Sequence, residues 1–261
     1  MSIRVTFPGG RTKALTLSYD DGRDHDRRLV KIFNDYGLKG TFHLNAGMLN
    51  SDVKVSLDEI STLYKGHEVA CHALTHPFLE RLPRTEVMRE VWKDREILEQ
   101  YVSYPVTGMS YPYGSSDSAV VEILRNCGIE YCRTTVSTKK LSLPDELLLW
   151  HPTCHHRDML EMVPGFLGYR FNLGVLYVWG HSYEFGNNNN WGDMERFAEQ
   201  VSGKADVWYV TNIDLARYIK ALRTLVTSTD GRRAYNPSAV TVWIESPNGP
   251  VPVAPGAVVE I

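Results

Sequence analysis

Two histidines and two aspartates stand where they could do chemistry together. His72 and His76 lie four apart in the run GHEVACHALTHP, from Gly66 to Pro77. That separation puts both imidazoles on one side of a helical turn, where they can share a metal ion. Pro77 disfavours a helix running on through His76, so one turn or a bent loop is expected. The run is not a zincin HExxH motif, because Cys71 holds the position of the second histidine. Asp20 and Asp21 are adjacent, just before Gly22. Consecutive side chains on an extended segment point apart, so these carboxylates suit two roles, one a metal ligand and one a base. Two histidines plus one carboxylate leave coordination positions open to water, which is the catalytic kind of site. Taken singly, Asp-Asp-Gly reads more readily as a solvated turn, and the histidines alone are weak evidence against unrelated polar residues at a strand exit.

The elements that would position these residues alternate. Strands are expected at Ala14–Tyr19, Thr41–Asn45, His67–Cys71, Val106–Tyr111, Ile129–Thr134, Leu147–His151, Gly174–Trp179 and Val207–Thr211. Between them lie helical patterns. Leu29, Ile32, Phe33 and Tyr36 share a face that ends at Gly37, and Ser56 with Glu59 forms a capping box. Arg84–Tyr101, Ser118–Cys127, Met194–Val201 and Asp214–Leu225 complete the set. This alternation implies an α/β fold, a distorted TIM-like barrel of seven or eight β/α units. Asp20 and Asp21, His72, Tyr113 and His181 all follow expected strands, so they would meet on the face where strand ends converge. Beyond Gly231 the texture changes. Pro247, Pro250, Pro252 and Pro255, with an Asn248-Gly249 turn signal, suggest a small β hairpin. Residues 1–231 are therefore read as the barrel and 232–261 as a C-terminal β appendage, which leaves a homo-oligomer open.

The bulk composition is that of a globular chain: 261 residues, 43% hydrophobic, 23% charged and a formal net charge of −3. That balance gives no footprint for nucleic acid or an anionic membrane. Cys71, Cys127, Cys132 and Cys154 form no CxxC pair, so a structural zinc cluster is not expected. The first residues lack a long apolar run and no segment is apolar enough to span a bilayer, so a cytoplasmic protein is expected.

Four motifs together resemble the polysaccharide deacetylase family (carbohydrate esterase 4, NodB homology). LSYDDG resembles the first motif, GHEVACHALTHP the second, SYPYG the third and WGHSYE the fifth, in family order between Leu15 and Glu184. The resemblance implies that Asp21, His72 and His76 bind a divalent metal. Zn²⁺ suits the set, with Co²⁺, Mn²⁺, Ni²⁺ or Fe²⁺ as alternatives. It further implies Asp20 as general base, the backbone N–H of Tyr113 in an oxyanion hole and His181 as general acid. The reaction implied is removal of acetyl groups from N- or O-acetylated sugars. The alternatives are a metal-independent cyclic amide hydrolase on the same scaffold and a non-catalytic carbohydrate-binding module. Two departures from the family pattern stand out. Ser110 replaces the arginine that often opens motif three, and the Asp-Trp element of motif four is not evident. Asp158 is the nearest candidate to orient His181. Tyr111, Trp179, Tyr183, Glu184 and His155 are candidate carbohydrate contacts, since aromatic faces suit sugar rings, although several of the aromatics are expected to pack in the core.

Overall fold

The computed structural model describes residues 3–261. After a short strand β1 (Val5–Thr6) come β2 (Lys13–Asp20), β3 (Gly40–Leu44), β4 (Glu68–Cys71), β5 (Gly108–Ser110), β6 (Tyr131–Arg133), β7 (Cys154–His155), β8 (Gly174–Gly180) and β9 (Val207–Tyr209). β2 to β9 form one curled parallel sheet in the order β6-β5-β4-β3-β2-β8-β7, with β9 against the start of β2. This is the expected TIM-like barrel in distorted form. It closes irregularly through Trp150. The Trp150 N–H donates to Cys132 O at 2.9 Å, and its carbonyl accepts from Thr134 N–H at 3.0 Å. Three residues later the Thr153 N–H donates to Tyr177 O on β8.

That closure corrects one expectation. Leu147–His151 is not a strand. Leu147–Leu149 form a 3-10 turn whose leucines fill the core, and regular pairing resumes only at Cys154. Pro152 lacks a backbone donor, so a continuous strand through it would lose a ladder bond. An apolar run such as Leu-Leu-Leu carries no period that separates turn from strand.

The helices are α1 (Asp26–Asp35), α2 (Ile60–Leu63), α3 (Arg84–Leu98), α4 (Ser118–Asn126), α5 (Met159–Leu167), α6 (Ser182–Asn187), α7 (Trp191–Val201) and α8 (Asn212–Thr224). α1 buries Leu29, Val30, Ile32 and Phe33 against the sheet, the three-to-four spacing of an amphipathic helix. α4 starts at Asp117, whose side chain accepts from Val120 N–H. α5 lacks the sequence marks of a helix because Pro164 and Gly165 lie inside it.

β2 is buried on both faces, and its residue types alternate. Leu15, Leu17 and Tyr19 join the cluster under the helices. Thr16, Ser18 and Asp20 are buried polar residues of the opposite parity. Side chains alternate across a strand, so the second set faces the barrel interior. There they are met by His43, Tyr131 and Arg133, bonded to one another or to Ser18 and Asp20, and by Tyr177, whose hydroxyl donates to Asn212 Oδ1. The interior thus carries a hydrogen-bonded polar column, next to a second apolar cluster that includes Ala14, Trp150 and Val175.

Beyond α8 come β10 (Val226–Thr227), β11 (Arg233–Tyr235), β12 (Val242–Ser246), β13 (Gly249–Val253) and β14 (Val258–Glu260). They form two three-stranded antiparallel sheets, β1-β12-β13 and β10-β11-β14. β12 and β13 make a hairpin closed by the Ser246–Gly249 pair. β1 and β10 come from outside residues 232–261, so the sheets enlist both flanks of the barrel. Among the described residues no helix is long and apolar enough to cross a membrane.

Candidate metal and acid–base centre

Asp21 leaves β2 in a left-handed conformation, φ 81°. Its N–H donates to His43 O at 2.9 Å and its carbonyl accepts from Lys54 Nζ at 2.6 Å, so the unfavourable backbone is held from both sides. His72 leaves β4 with its N–H between Leu44 O (2.9 Å) and Asp94 Oδ2 (3.0 Å). Asn45 Nδ2 donates to the carbonyls of His72 and Ala73. The loop then bends through Ala73 (φ 60°) and His76 (φ 58°), the bent loop rather than the helical turn among the forms expected before Pro77. Of seven non-glycine residues with positive φ among the described residues, four belong to this centre: Asp21, Ala73, His76 and Tyr113. Strain of this kind survives only where surrounding bonds over-determine it.

These turns bring three donors together. His76 Nε2 lies 3.7 Å and His72 Nε2 4.0 Å from Asp21 Oδ1. Asp21, His72 and His76 each offer an atom within 4.8 Å of the others. His72 Nδ1 faces Ser110 O at 2.9 Å. A carbonyl only accepts, so Nδ1 carries the proton and the Nε2 lone pair is free to ligate. Burial pushes His72 down to about 4, although Asp20 and Asp21 pull the other way. An unprotonated imidazole and a carboxylate aimed at one point fit a divalent cation.

Asp20 faces a different set. Its Oδ2 is ion-paired with Arg133 and its Oδ1 accepts from Ser110 Oγ at 3.1 Å. His43 Nδ1 is 3.5 Å from Oδ1. Burial alone would raise this carboxyl, but Arg133, helped by His72, His43 and His181, holds it well below the usual carboxylate range. The cation missing from motif three therefore comes from the next strand. Its signal in the sequence is a charged residue at the end of an otherwise apolar strand, where the other motif residues also stand. His43, in turn, is a fully buried neighbour of Asp20.

Opposite them, His181 precedes α6. Its Nδ1 meets Glu184 Oε1 at 2.7 Å. Glu184 Oε2 meets His156 Nε2 at 3.1 Å and His155 Nε2 at 3.4 Å. Burial would raise Glu184, yet three imidazoles hold it well below its ordinary value. Burial would lower His181, yet Glu184, Asp20 and Asp21 leave it raised. A Cβ at Gly180 would overlap the His156 ring, so glycine is required in WGHSYE. Asp158 does not orient His181; it pairs with Lys139 instead. His155 also faces inward: its Nδ1 accepts from Arg157 N–H and Nε–H, and it packs edge-on to Trp179.

The aromatic candidates divide. Tyr111 is fully buried and its hydroxyl donates to Leu148 O at 2.7 Å, so it is a packing residue and not a carbohydrate contact. Trp179 is almost buried beneath the Arg133 guanidinium. Tyr183 lies beside His181 under Arg23. Tyr113 is 56% exposed, stacked on Phe78 at 4.0 Å with its ring edge-on to His76.

The profile of the polysaccharide deacetylase family matches residues 9–132. A chitin deacetylase of Arthroderma benhamiae is 30% identical over 128 residues, covering 48% of this chain and 34% of that protein. The chain spans between about a third and a half of the length of the curated relatives it matches. Among solved structures, a Mycobacterium smegmatis protein assigned as a polysaccharide deacetylase aligns with a TM-score of 0.65, at 16% identity, over 85% of this chain and 95% of its own. A family 4 carbohydrate esterase from Streptomyces lividans, in complex with acetate, aligns with a TM-score of 0.52 at 15% identity, over 76% and 91%. At these identities the structures speak for the fold. Residues 9–132 thus resemble the polysaccharide deacetylase family, and the barrel that carries them is the fold these structures share.

Proposed function

We propose that this chain removes acetyl groups from N- or O-acetylated saccharides by metal-assisted hydrolysis, with Asp20 as general base and His181 as general acid. One observation carries the reading. Beside a trio able to hold a metal stand a carboxylate whose ionised form Arg133 favours and an imidazole whose proton affinity Glu184 raises. An acid and a base whose environments push their proton affinities apart are the mark of hydrolytic acid–base pairs. A binding module needs neither clamp, and a metal-independent amide hydrolase has no use for the trio of Asp21, His72 and His76. A relative named for chitin deacetylation supports the acetylated-sugar class.

Asp21, His72 and His76 would hold the divalent cation. When bound, such an ion supplies Lewis acidity, polarising a carbonyl and making water a better nucleophile. Zn²⁺ suits the donor set best, and other first-row divalent ions can replace it. Asp20 accepts the proton that the attacking water loses. Ser110 and Arg133 fix its orientation, so its free lone pair is aimed before substrate arrives. The Tyr113 N–H, on its left-handed turn next to His76, donates to the oxyanion that develops on the acetyl carbonyl. His181 passes its Nε2 proton to the departing amine or alkoxide, while Glu184 balances the charge on the ring. The exposed Tyr113 face and Tyr183 offer apolar area on which a sugar ring stacks.

Chelation tests this. Acetate release from N-acetylglucosamine oligomers and from acetylated xylan is measured on metal-stripped protein, before and after addition of Zn²⁺ or Co²⁺. The reading expects release only after addition. Release at an unchanged rate by stripped protein would refute it.

A further inference from the structure

The polar column below Asp20 has a part that the reaction does not use. Glu68 opens β4, whereas Asp20 closes β2, so in a parallel barrel they stand at opposite ends. Glu68 is buried and lines a cavity of about 320 Å³ on the far face, with His67, Tyr104, Ile213, Asp214 and Arg217. Its Oε2 accepts from Thr41 Oγ1 at 2.8 Å and from Ile213 N–H at 2.9 Å. Its Oε1 meets the Tyr131 hydroxyl at 2.8 Å. Tyr131 Oη lies 3.4 Å from His43 Nε2, and His43 Nδ1 lies 3.2 Å from Ser18 Oγ and 3.5 Å from Asp20 Oδ1. A continuous chain of polar atoms therefore joins Glu68 to Asp20.

Such a chain has two directions. With Glu68 ionised, Tyr131 donates to Glu68, its oxygen accepts from His43 Nε2–H, and the Nδ1 lone pair faces Ser18 and Asp20. With Glu68 protonated, Glu68 donates to Tyr131, Tyr131 donates to His43 Nε2, and His43 turns an Nδ1–H toward Asp20. The two states differ by one proton, exchanged with solvent, and by the His43 tautomer. Burial keeps His43 neutral, so a tautomer is what it has to change. We propose that Glu68 is a positioning residue that acts on Asp20 through Tyr131 and His43, its charge setting whether His43 presents a proton or a lone pair to the base.

The surroundings permit the change. Burial pushes Glu68 up to about 7; the Ile213, Tyr131 and Thr41 donors oppose this and Asp214 adds to it. Tyr104 and Arg217 also lie close enough to feel its charge. The groups facing His43 are Asp20, Arg133 and His72. The proposal rests on Asp20 being the base, because only then does the column reach turnover.

Glu68→Gln tests it. Thr41 and Ile213 both donate to the Oε2 position, so the amide oxygen must sit there and the amide NH₂ must face Tyr131. The variant is thereby locked in the direction of protonated Glu68. Tyr131→Phe cuts the chain instead. The His43 tautomer is read by ¹⁵N NMR of histidine-labelled, zinc-loaded protein between pH 5.5 and 8.5, and kcat and KM are measured on the same samples. In wild type, His43 should pass from Nδ1–H to Nε2–H as pH rises, with kcat rising about 2- to 10-fold and KM unchanged, the size expected for one hydrogen bond to the base. Glu68→Gln should stay Nδ1–H on the lower kcat plateau, and Tyr131→Phe should lose the response. A Glu68→Gln variant that changes tautomer with pH as wild type does would overturn the proposal. The tautomer is read without turnover, so this result is separable from failure of Asp20 as the base.

Discussion

Asp20 and His181 lie close enough to feel each other's charge, and each is held by a partner of opposite charge. Asp20 is buried on β2 against Arg133 of β6. His181 is half-exposed at the start of α6 against Glu184, three residues on. The first clamp joins residues far apart in sequence through the barrel interior; the second is local. Both resist burial, which would neutralise each group: Arg133 favours the ionised form of Asp20 and Glu184 the protonated form of His181. The difference between them is dielectric. The Asp20 clamp is sealed from water, whereas the His181 clamp is open on one side and is reinforced by two more histidines.

Breaking the buried clamp should have the larger consequences. Asp20→Asn removes the base and keeps the fold, so kcat should fall by about 10²–10⁴-fold with metal affinity unchanged. Arg133→Met leaves Asp20 buried without a counter-charge and should cost about 3–5 kcal/mol of stability. A urea melt of the two proteins checks this. Arg133→Lys should recover part of that loss, since it restores the charge without the planar fork.

The open clamp should give smaller and pH-dependent changes. Glu184→Gln removes a charge-assisted bond to His181 and should lower kcat about 10- to 100-fold. The sign of the pH effect follows from the geometry. In the proposed mechanism His181 acts in its protonated form, and Glu184 raises its proton affinity. Activity should therefore fall at alkaline pH as His181 loses its proton, and this limb should move to lower pH in Glu184→Gln. A limb that stays in place would separate Glu184 from the acid. Least of all, Tyr113→Ala deletes a stacking face but keeps the backbone N–H. It should raise KM about 2- to 10-fold for oligosaccharides and leave kcat nearly unchanged.

The two clamps also differ in how far the sequence discloses them. Asp20, Asp21, His72, His76 and His181 are legible because each follows a strand pattern, and a parallel barrel gathers strand ends on one face. Glu184 is legible as a neighbour of His181, since three residues make one helical turn. Arg133 is not, because its partner lies on a strand four places away in the sheet and no local pattern links them. His155 reads in sequence as a candidate carbohydrate contact, yet the irregular closure from Trp150 to His155 turns it and His156 inward. The same closure hid a strand boundary behind a leucine run. Alternation along β2 reports an apolar and a polar face, but not that the polar face is buried inside the barrel as a column.

The most direct test of the account measures zinc stoichiometry and acetate release on the same samples of wild type, Asp20→Asn and His76→Ala. The account expects a single zinc ion and turnover in wild type, zinc without turnover in Asp20→Asn, and neither in His76→Ala. An Asp20→Asn variant that releases acetate at the wild-type rate, or a His76→Ala variant that keeps both zinc and turnover, would contradict it.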